Sequence, residues 1–165
     1  MSIKVSVLGA KGKMGSEVVK AINQAQDLEL VASIDQNDSF DLVKNSGCNV
    51  AVDFTTPDSV MTNIELLIKA GISPIVGTTG IDDEKLEIIK NLSKNNGNIP
   101  IRVVPNFSVG AILMMRFAKM ATKFYDSVEV IEYHHAQKVD APSGTAVRTA
   151  KLIAQERKVV CTPSR

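Results

Sequence analysis

The 165-residue sequence has few cysteines, no excess of either charge and no long apolar run. Its two cysteines, Cys48 and Cys161, are far apart and fit no metal-ligand spacing. We interpret both as reduced thiols of a cytosolic protein, because disulfide frameworks belong to oxidising compartments. The 19 basic and 18 acidic residues form no basic block, so we expect no binding to nucleic acid or to an anionic membrane.

No apolar stretch approaches the roughly 20 residues that are needed to span a bilayer. The apolar run over residues 5–8 is short, ends in glycine and lysine, and lacks the cleavage site of a signal peptide. We therefore expect a soluble, cytoplasmic protein. Its length suits one domain, or one domain with part of a second.

A glycine-rich loop follows the first strand that the sequence predicts. Residues 3–8 are rich in β-branched side chains and end at a glycine, which indicates a buried strand. Three glycines then repeat from Gly9 to Gly15 at the spacing G-x-x-G-x-x-G, and apolar residues at helical spacing follow them. A second strand is predicted over residues 28–34, with Asp35 directly after it.

This order of strand, glycine loop, helix and strand favours a dinucleotide site over a merely structural turn. Glycines let the backbone approach a pyrophosphate, and the helix N-terminus offers unpaired N–H groups. Asp35 is placed to accept hydrogen bonds from the adenosine ribose hydroxyls. Its charge repels a 2′-phosphate and so favours NAD over NADP, whereas Lys11 could attract that phosphate. For Lys13 we prefer a solvated loop charge.

Three further strands alternate with helices. We predict them over residues 50–54, 75–76 and 101–104. Such alternation is typical of an α/β fold with a Rossmann-like, doubly wound parallel sheet. Ligands of these sheets bind outside the carboxyl ends of the strands. The residues that we expect at those ends are Gly9, Asp35, Thr55, Gly77 and Asn106.

The segment over residues 77–80 reads Gly-Thr-Thr-Gly and follows the fourth predicted strand. It can hold the nicotinamide ribose or carboxamide through hydroxyl and backbone groups. It can equally be a plain glycine–threonine turn. The sequence favours neither interpretation.

The second part of the chain has a different pattern. We predict an apolar helix with core methionines over residues 111–120, a strand over residues 127–133 and a helix over residues 145–157. We interpret these elements as the start of an α+β substrate-binding domain. The predicted division is a dinucleotide-binding domain over residues 1–107 and an incomplete substrate-binding, catalytic domain over residues 108–165.

Both histidines of the chain stand together after the strand over residues 127–133. On an extended strand His134 and His135 point to opposite faces, so one can reach a reacting atom while the other holds substrate or packs. Lys138 adds a cation for a carboxylate, or a second proton donor. The alternatives for the histidine pair are a zinc ligand pair or a solvated surface. Zinc is disfavoured, because the chain has no third histidine or suitably spaced cysteine.

A Ser-Gly-Thr turn over residues 143–145 opens the last predicted helix. Its N–H groups and hydroxyls lie at a helix N-terminus, which suits a carboxylate. Two anion-binding elements and a proton donor together suit a dicarboxylate that accepts a hydride and a proton. We predict no metal site.

Five segments together resemble the 4-hydroxy-tetrahydrodipicolinate reductase (dihydrodipicolinate reductase) family, most of all its actinobacterial branch. They cover essentially the whole chain in the family's order: GAKGKMG at 9–15, DFT at 53–55, VGTTG at 76–80, PNFSVG at 105–110 and EYHHAQKVDAPSGTA at 132–146.

The resemblance implies reduction of 4-hydroxy-tetrahydrodipicolinate, a cyclic dicarboxylate, in the diaminopimelate route to lysine, with NADH or NADPH. It implies that His134 is the proton donor and acceptor and that Lys138 is a second proton donor. It assigns substrate contacts to His135, Gly144 and Thr145. The implied cofactor contacts are Gly9, Ala10, Lys11, Gly12, Lys13, Met14, Asp35, Gly77, Thr78, Thr79, Val104, Pro105, Asn106 and Phe107.

Family members continue well beyond the position of Arg165 and form homotetramers through the substrate domain. We therefore expect these residues to be a fragment or a truncated product. The leading hypothesis is an active reductase. A truncated homologue that binds NAD(H) without turnover is the alternative, and another Rossmann oxidoreductase is disfavoured by the segment at 132–146.

Overall fold

The computed structural model describes residues 2–134 and 141–160, without the side chains of residues 159 and 160. The chain divides into two compact units, Met1–Val104 and Pro105–Arg165. Among the described residues, no helix is both long enough and apolar enough to cross a membrane.

The first unit is a five-stranded sheet in which every neighbouring pair is parallel. The strands are β1 (Ile3–Leu8), β2 (Leu28–Ile34), β3 (Val50–Asp53), β4 (Ser73–Val76) and β5 (Arg102–Val103). The helices between them are α1 (Lys13–Gln24), α2 (Asp41–Lys44), α3 (Val60–Lys69) and α4 (Asp83–Asn95). The predicted α/β fold is confirmed.

The strand order β2-β1-β3-β4-β5 reverses direction between β1 and β3. Open α/β sheets bind their ligands at this kind of switch point, outside the carboxyl ends of the strands. Leu8 at the end of β1 pairs with Asp53 at the end of β3, so the two strands finish level. The next residues, Gly9 and Phe54, therefore leave the sheet beside one another.

Helices cover both faces of the sheet because side chains alternate along each strand. On one face, Val7 packs in a buried cluster with Ile22 from α1. On the other face, Leu8 and Ala51 pack with Leu67 from α3. Fully burying a leucine such as Leu67 stabilises the fold by about 2 kcal/mol.

Helix boundaries differ from the expectation at α3. A proline followed by an acid, as at Pro57 and Asp58, is a typical opening signal of a helix, but residues 57–59 form a turn and α3 begins at Val60. Ser59 is the N-cap residue. The short helix α2 was not predicted, since four residues carry too little periodicity to indicate one.

The second unit contains α5 (Val109–Ala121), a 3₁₀ turn (Thr122–Phe124) and α6 (Gly144–Val160). Glu156 of α6 forms ion pairs with Lys119 Nζ at 3.3 Å and with Lys123 Nζ at 2.9 Å. The hydrogen bonds of Lys123 and then Lys119 hold the pKa of this carboxyl below its ordinary value of 4.5. Arg157 Nη2 also donates to Tyr125 O at 3.0 Å, so α6 is tied to the end of α5 by charge.

Two expectations for this unit differ from the structure, the first only in part. Of the methionines of α5, Met115 is buried, but Met114 is 46% and Met120 64% exposed. The predicted strand over residues 127–133 is also not formed, and no described residue of the second unit lies in a strand. Alternation supplies one apolar face, but a strand also needs a neighbour to pair its N–H and C=O groups.

Candidate functional site

The glycine loop after β1 is packed so closely that two of its glycines have no room for a side chain. Gly9 has φ 75°, and a Cβ there would lie 2.5 Å from Phe54 O. A Cβ on Gly15 would overlap Gly9 O. The backbone N–H of Gly9 donates to Ile34 O at 2.9 Å. The loop thus runs directly over the ends of β2 and β3, with bare backbone facing the edge where ligands bind.

Helix α1 begins at Lys13 with an N-terminus that no side chain caps. Its first turn also contains no acidic residue. Asp82 caps α4 and Ser108 caps α5 through their side-chain oxygens, whereas α2 and α3 also have no side-chain cap. The first N–H groups of α1 and its partial positive charge are therefore arranged for an anion such as a pyrophosphate.

Asp35 is bound to the glycine loop. Its Oδ2 accepts the N–H of Lys11 at 2.8 Å, and its Oδ1 accepts the N–H of Gln36 at 2.9 Å. The hydrogen bond from Gln36 and then that from Lys11 hold the pKa of Asp35 below the ordinary value of 3.8. The carboxylate is therefore charged at neutral pH. Its stabilising effect is present above pH 3.8 and is lost as the pH falls through the lowered pKa.

The loop after β4 turns one threonine inward and one outward. Thr78 is buried and its Oγ1 donates to Asp53 Oδ1 at 2.8 Å, whereas Thr79 is exposed. The Thr78 hydroxyl is thus bound to Asp53, and only the backbone of Thr78 can contact a ligand. Gly80, at φ 87°, ends the turn, and its carbonyl accepts Lys85 Nζ at 2.6 Å.

Asp53 is the buried centre of a polar cluster that sequence reasoning missed; its other members are Thr78 and the partly buried Thr55 and Asn63. Asp53 is fully buried, and its Oδ2 accepts Asn63 Nδ2 at 2.9 Å. Its Oδ1 accepts both the N–H and the Oγ1–H of Thr55. The available signal was an aspartate directly after apolar residues at the end of a buried strand.

In the second unit, the structure brings together one predicted cofactor contact and one predicted substrate contact. Asn106 Nδ2 donates to Thr145 Oγ1 at 3.2 Å. Asn106 Oδ1 accepts the N–H of Ser108 at 2.7 Å, which holds its amide in this orientation. Phe107 is partly exposed beside it.

Glu132 joins His134 to the start of α6. Its Oε1 accepts the N–H of Ser143 at 2.9 Å, and its Oε2 accepts the Ser143 hydroxyl. The same Oε2 lies 3.9 Å from His134 Nδ1. Ser143 Oγ also accepts the N–H of Ala146 and so caps α6. Sequence reasoning missed Glu132, because its partner is 11 residues away along the chain.

The other predicted catalytic and substrate-binding residues are placed as follows. Gly144 begins α6, and His134 lies in no helix or strand with its side chain 38% exposed. His135 and Lys138 lie outside the described residues. Within residues 2–134 and 141–160, no three His, Cys, Asp or Glu side chains are grouped so that they could hold a metal ion.

The switch-point glycine loop, the uncapped α1 and the acid after β2 define the first unit as a Rossmann-type dinucleotide-binding domain. Solved structures share this fold at low identity. One is a scyllo-inositol dehydrogenase from Lactobacillus casei, with a TM-score of 0.58, 15% identity, and coverage of 74% of this chain and 43% of that one.

The chain matches two family models. Residues 3–107 match "Dihydrodipicolinate reductase, N-terminus" and residues 110–163 match "Dihydrodipicolinate reductase, C-terminus". The structure of a dipicolinate-bound dihydrodipicolinate reductase from Paenisporosarcina sp. TG-14 is similar, with a TM-score of 0.78 and 37% identity. The matched region covers 95% of this chain and 67% of the Paenisporosarcina chain.

Curated relatives are closer in sequence. The 4-hydroxy-tetrahydrodipicolinate reductase of Corynebacterium diphtheriae is 51% identical over 99% of this chain and 66% of its own length. That of Streptomyces coelicolor is 49% identical over 94% of this chain and 62% of its own length. This chain belongs to the dihydrodipicolinate reductase family, and the predicted likeness to the actinobacterial branch is confirmed. It spans slightly less than two thirds of these relatives.

Proposed function

We propose that the protein reduces 4-hydroxy-tetrahydrodipicolinate to tetrahydrodipicolinate with a reduced nicotinamide cofactor, in diaminopimelate and lysine biosynthesis. The observation that carries this proposal is the 51% identity over 99% of the chain, because it includes both the glycine loop and the His134 segment. The bound cofactor would supply a hydride to the substrate ring, and the substrate hydroxyl would leave as water with one proton.

The cofactor part of the proposal fits the first unit. The bare backbone between Gly9 and Gly15 and the open N-terminus of α1 suit the pyrophosphate. Asp35 suits the adenosine ribose and favours NADH, while NADPH remains a substrate because Lys11 offers a positive charge. For the nicotinamide half we propose backbone contacts from Gly77, Thr78 and Thr79, and contacts from residues 104–107.

The substrate part of the proposal rests on the second unit. We propose that His134 donates the proton, since Glu132 lies on its Nδ1 side and leaves Nε2 for the substrate. From the family likeness we propose that Gly144 and Thr145 contact one substrate carboxylate; both lie at the start of α6, where Ser143 Oγ accepts the N–H of Ala146. From the family likeness we further propose His135 as a substrate contact and Lys138 as a second proton donor.

The test is His134→Gln, which keeps a polar side chain but removes the titratable ring. We expect kcat to fall by roughly 100-fold or more, the usual share of a general acid, with little change in the affinity for NADH. Tyr133→Phe is the matched control, because Tyr133 is the adjacent residue, is 91% exposed and has no proposed role. Comparable losses in kcat and NADH affinity for His134→Gln would show that its proposed role is wrong.

A second candidate function is NAD(H) binding without turnover. The first unit favours it, because it contains both the glycine loop and Asp35, the features that dinucleotide binding needs. The chain would then bind NADH and consume none when freshly generated 4-hydroxy-tetrahydrodipicolinate is added. Substrate-dependent loss of nicotinamide absorbance would exclude this candidate.

Three further assignments accompany the proposal. We place the boundary between cofactor and substrate domains after Phe107, which is supported by the two family-model matches. A homotetramer is proposed from the family likeness for the complete protein. A cytoplasmic location is proposed from the biosynthetic role and from Cys48, a buried free thiol.

A further inference from the structure

Asp53 lies at a position where an apolar side chain would cost less free energy to bury than a carboxylate does. It is fully buried at the end of β3, and its hydrogen-bond donors are neutral groups from Thr55, Asn63 and Thr78. Burying a carboxylate without a cation costs free energy even when donors surround it. A contribution to folding alone therefore gives little reason for an aspartate at this position.

The donors to Asp53 come from three separate parts of the first unit. Thr55 follows β3, Asn63 lies near the start of α3, and Thr78 lies in the loop after β4. Asn63 Nδ2 also donates to Thr55 Oγ1 at 3.1 Å, so these two partners of Asp53 are hydrogen-bonded to each other as well. The third partner, Thr78, belongs to the loop for which we propose nicotinamide contacts.

Asp53 holds that loop by its main chain as well as by its side chain. Its carbonyl oxygen accepts the N–H of Gly77 at 2.9 Å, and its Oδ1 accepts the Thr78 hydroxyl at 2.8 Å. Two successive loop residues are thus fixed to one strand residue. With the Thr78 side chain turned inward, the exposed part of the loop is Thr79 and Gly80.

We propose that Asp53 is a positioning residue for the nicotinamide half of the cofactor: its carboxylate holds the Gly77–Thr79 backbone in the conformation that binds the ring. This inference rests on the proposed function, since it assumes that the loop meets nicotinamide. The adenosine half of the cofactor, bound by the glycine loop and Asp35, does not depend on Asp53.

The test compares two ligands that differ in the nicotinamide ring. NADH and ADP-ribose are titrated into the wild-type chain and into Thr78→Val, Asp53→Asn and the double variant. Thr78→Val is isosteric and removes only the hydroxyl that donates to Asp53. Thr56→Val is the matched control, because the Thr56 hydroxyl is bonded to Ser59 and not to Asp53. Thermal unfolding of each variant is measured in parallel.

We expect Thr78→Val to weaken NADH binding by roughly tenfold, the effect of losing one hydrogen bond to a charged group. Asp53→Asn should weaken NADH binding by a similar factor, because its uncharged amide cannot accept hydrogen bonds at both positions where Asp53 does. Neither variant should change the affinity for ADP-ribose. The double variant should bind NADH no more weakly than the worse single variant, because Asp53 is proposed to act on the loop through the Thr78 hydroxyl, which Thr78→Val already removes. Thr56→Val should bind both ligands like the wild type.

Equal losses for NADH and ADP-ribose, or no loss of NADH affinity in Thr78→Val, would overturn the inference and leave the proposed function standing. If Asp53→Asn does not fold, Thr78→Val alone decides the question. A wild-type chain that binds neither ligand would overturn the proposed function, and this inference with it.

Discussion

Replacing Gly9 by alanine should damage the first unit more than the same change at any open turn. Gly9 and Gly71 both have φ 75°, so an alanine at either position takes up the same left-handed conformation. Their surroundings differ. A Cβ at Gly71 has no heavy atom within 4 Å, whereas one at Gly9 lies 2.5 Å from Phe54 O and 2.8 Å from Phe54 C.

The difference between the two variants isolates the close approach of the strand ends. The left-handed conformation costs about 1–2 kcal/mol for a residue with a Cβ, and Gly71→Ala should lose about that much free energy of unfolding. Gly9→Ala should lose a further 1–3 kcal/mol or so, because the atoms that it meets are backbone and move only with β3. The shift should also weaken NADH binding, since it displaces the loop proposed to hold the pyrophosphate.

The assay is urea unfolding of both variants with linear extrapolation to water, together with NADH titration. Gly71→Ala should bind NADH like the wild type. Equal free energies of unfolding for Gly9→Ala and Gly71→Ala, or unchanged NADH affinity in Gly9→Ala, would refute the argument that this loop is fixed by contact with Phe54.

Two further predictions concern charged groups. Asp35→Ser should weaken NADH binding and reduce the ratio of NADH affinity to NADPH affinity, because it removes both a ribose acceptor and the repulsion of a 2′-phosphate. Competition titrations measure this ratio, and an unchanged ratio would contradict the prediction. Glu156, whose pKa lies below 4.5, should stabilise the second unit above that pH and progressively less as the pH falls through its lowered pKa. Glu156→Gln should remove this pH dependence and leave NADH affinity unchanged; equal pH dependence in both proteins would refute the assignment.

The sheet of the first unit could be predicted because each of its strands has a local signal. The predicted second strand, residues 28–34, is confirmed as β2, and the glycine loop and Asp35 follow their strands as expected. These features depend on a few adjacent residues and on rules that hold for every parallel sheet. The position of the glycine loop at the switch point follows from the same rules.

The polar contacts that fix the loops could not be predicted. Asp53 and Thr78 are 25 residues apart, and nothing local shows that their side chains turn toward one another. Glu132 and Ser143 are likewise 11 residues apart, and nothing local shows that they are hydrogen-bonded. The prediction of a strand over residues 127–133 was wrong for a related reason. The alternation of apolar and polar residues is a local property, but pairing with another strand is not.

Transfer of deuterium from NADH to the substrate tests the central claim most directly. The purified protein is given 4-hydroxy-tetrahydrodipicolinate and NADH that carries deuterium at its transferable position, and the product is examined by mass spectrometry and NMR. The account predicts tetrahydrodipicolinate with one deuterium on a ring carbon, formed far more slowly by His134→Gln. Product without deuterium, or NADH that stays bound and unconsumed, would contradict it.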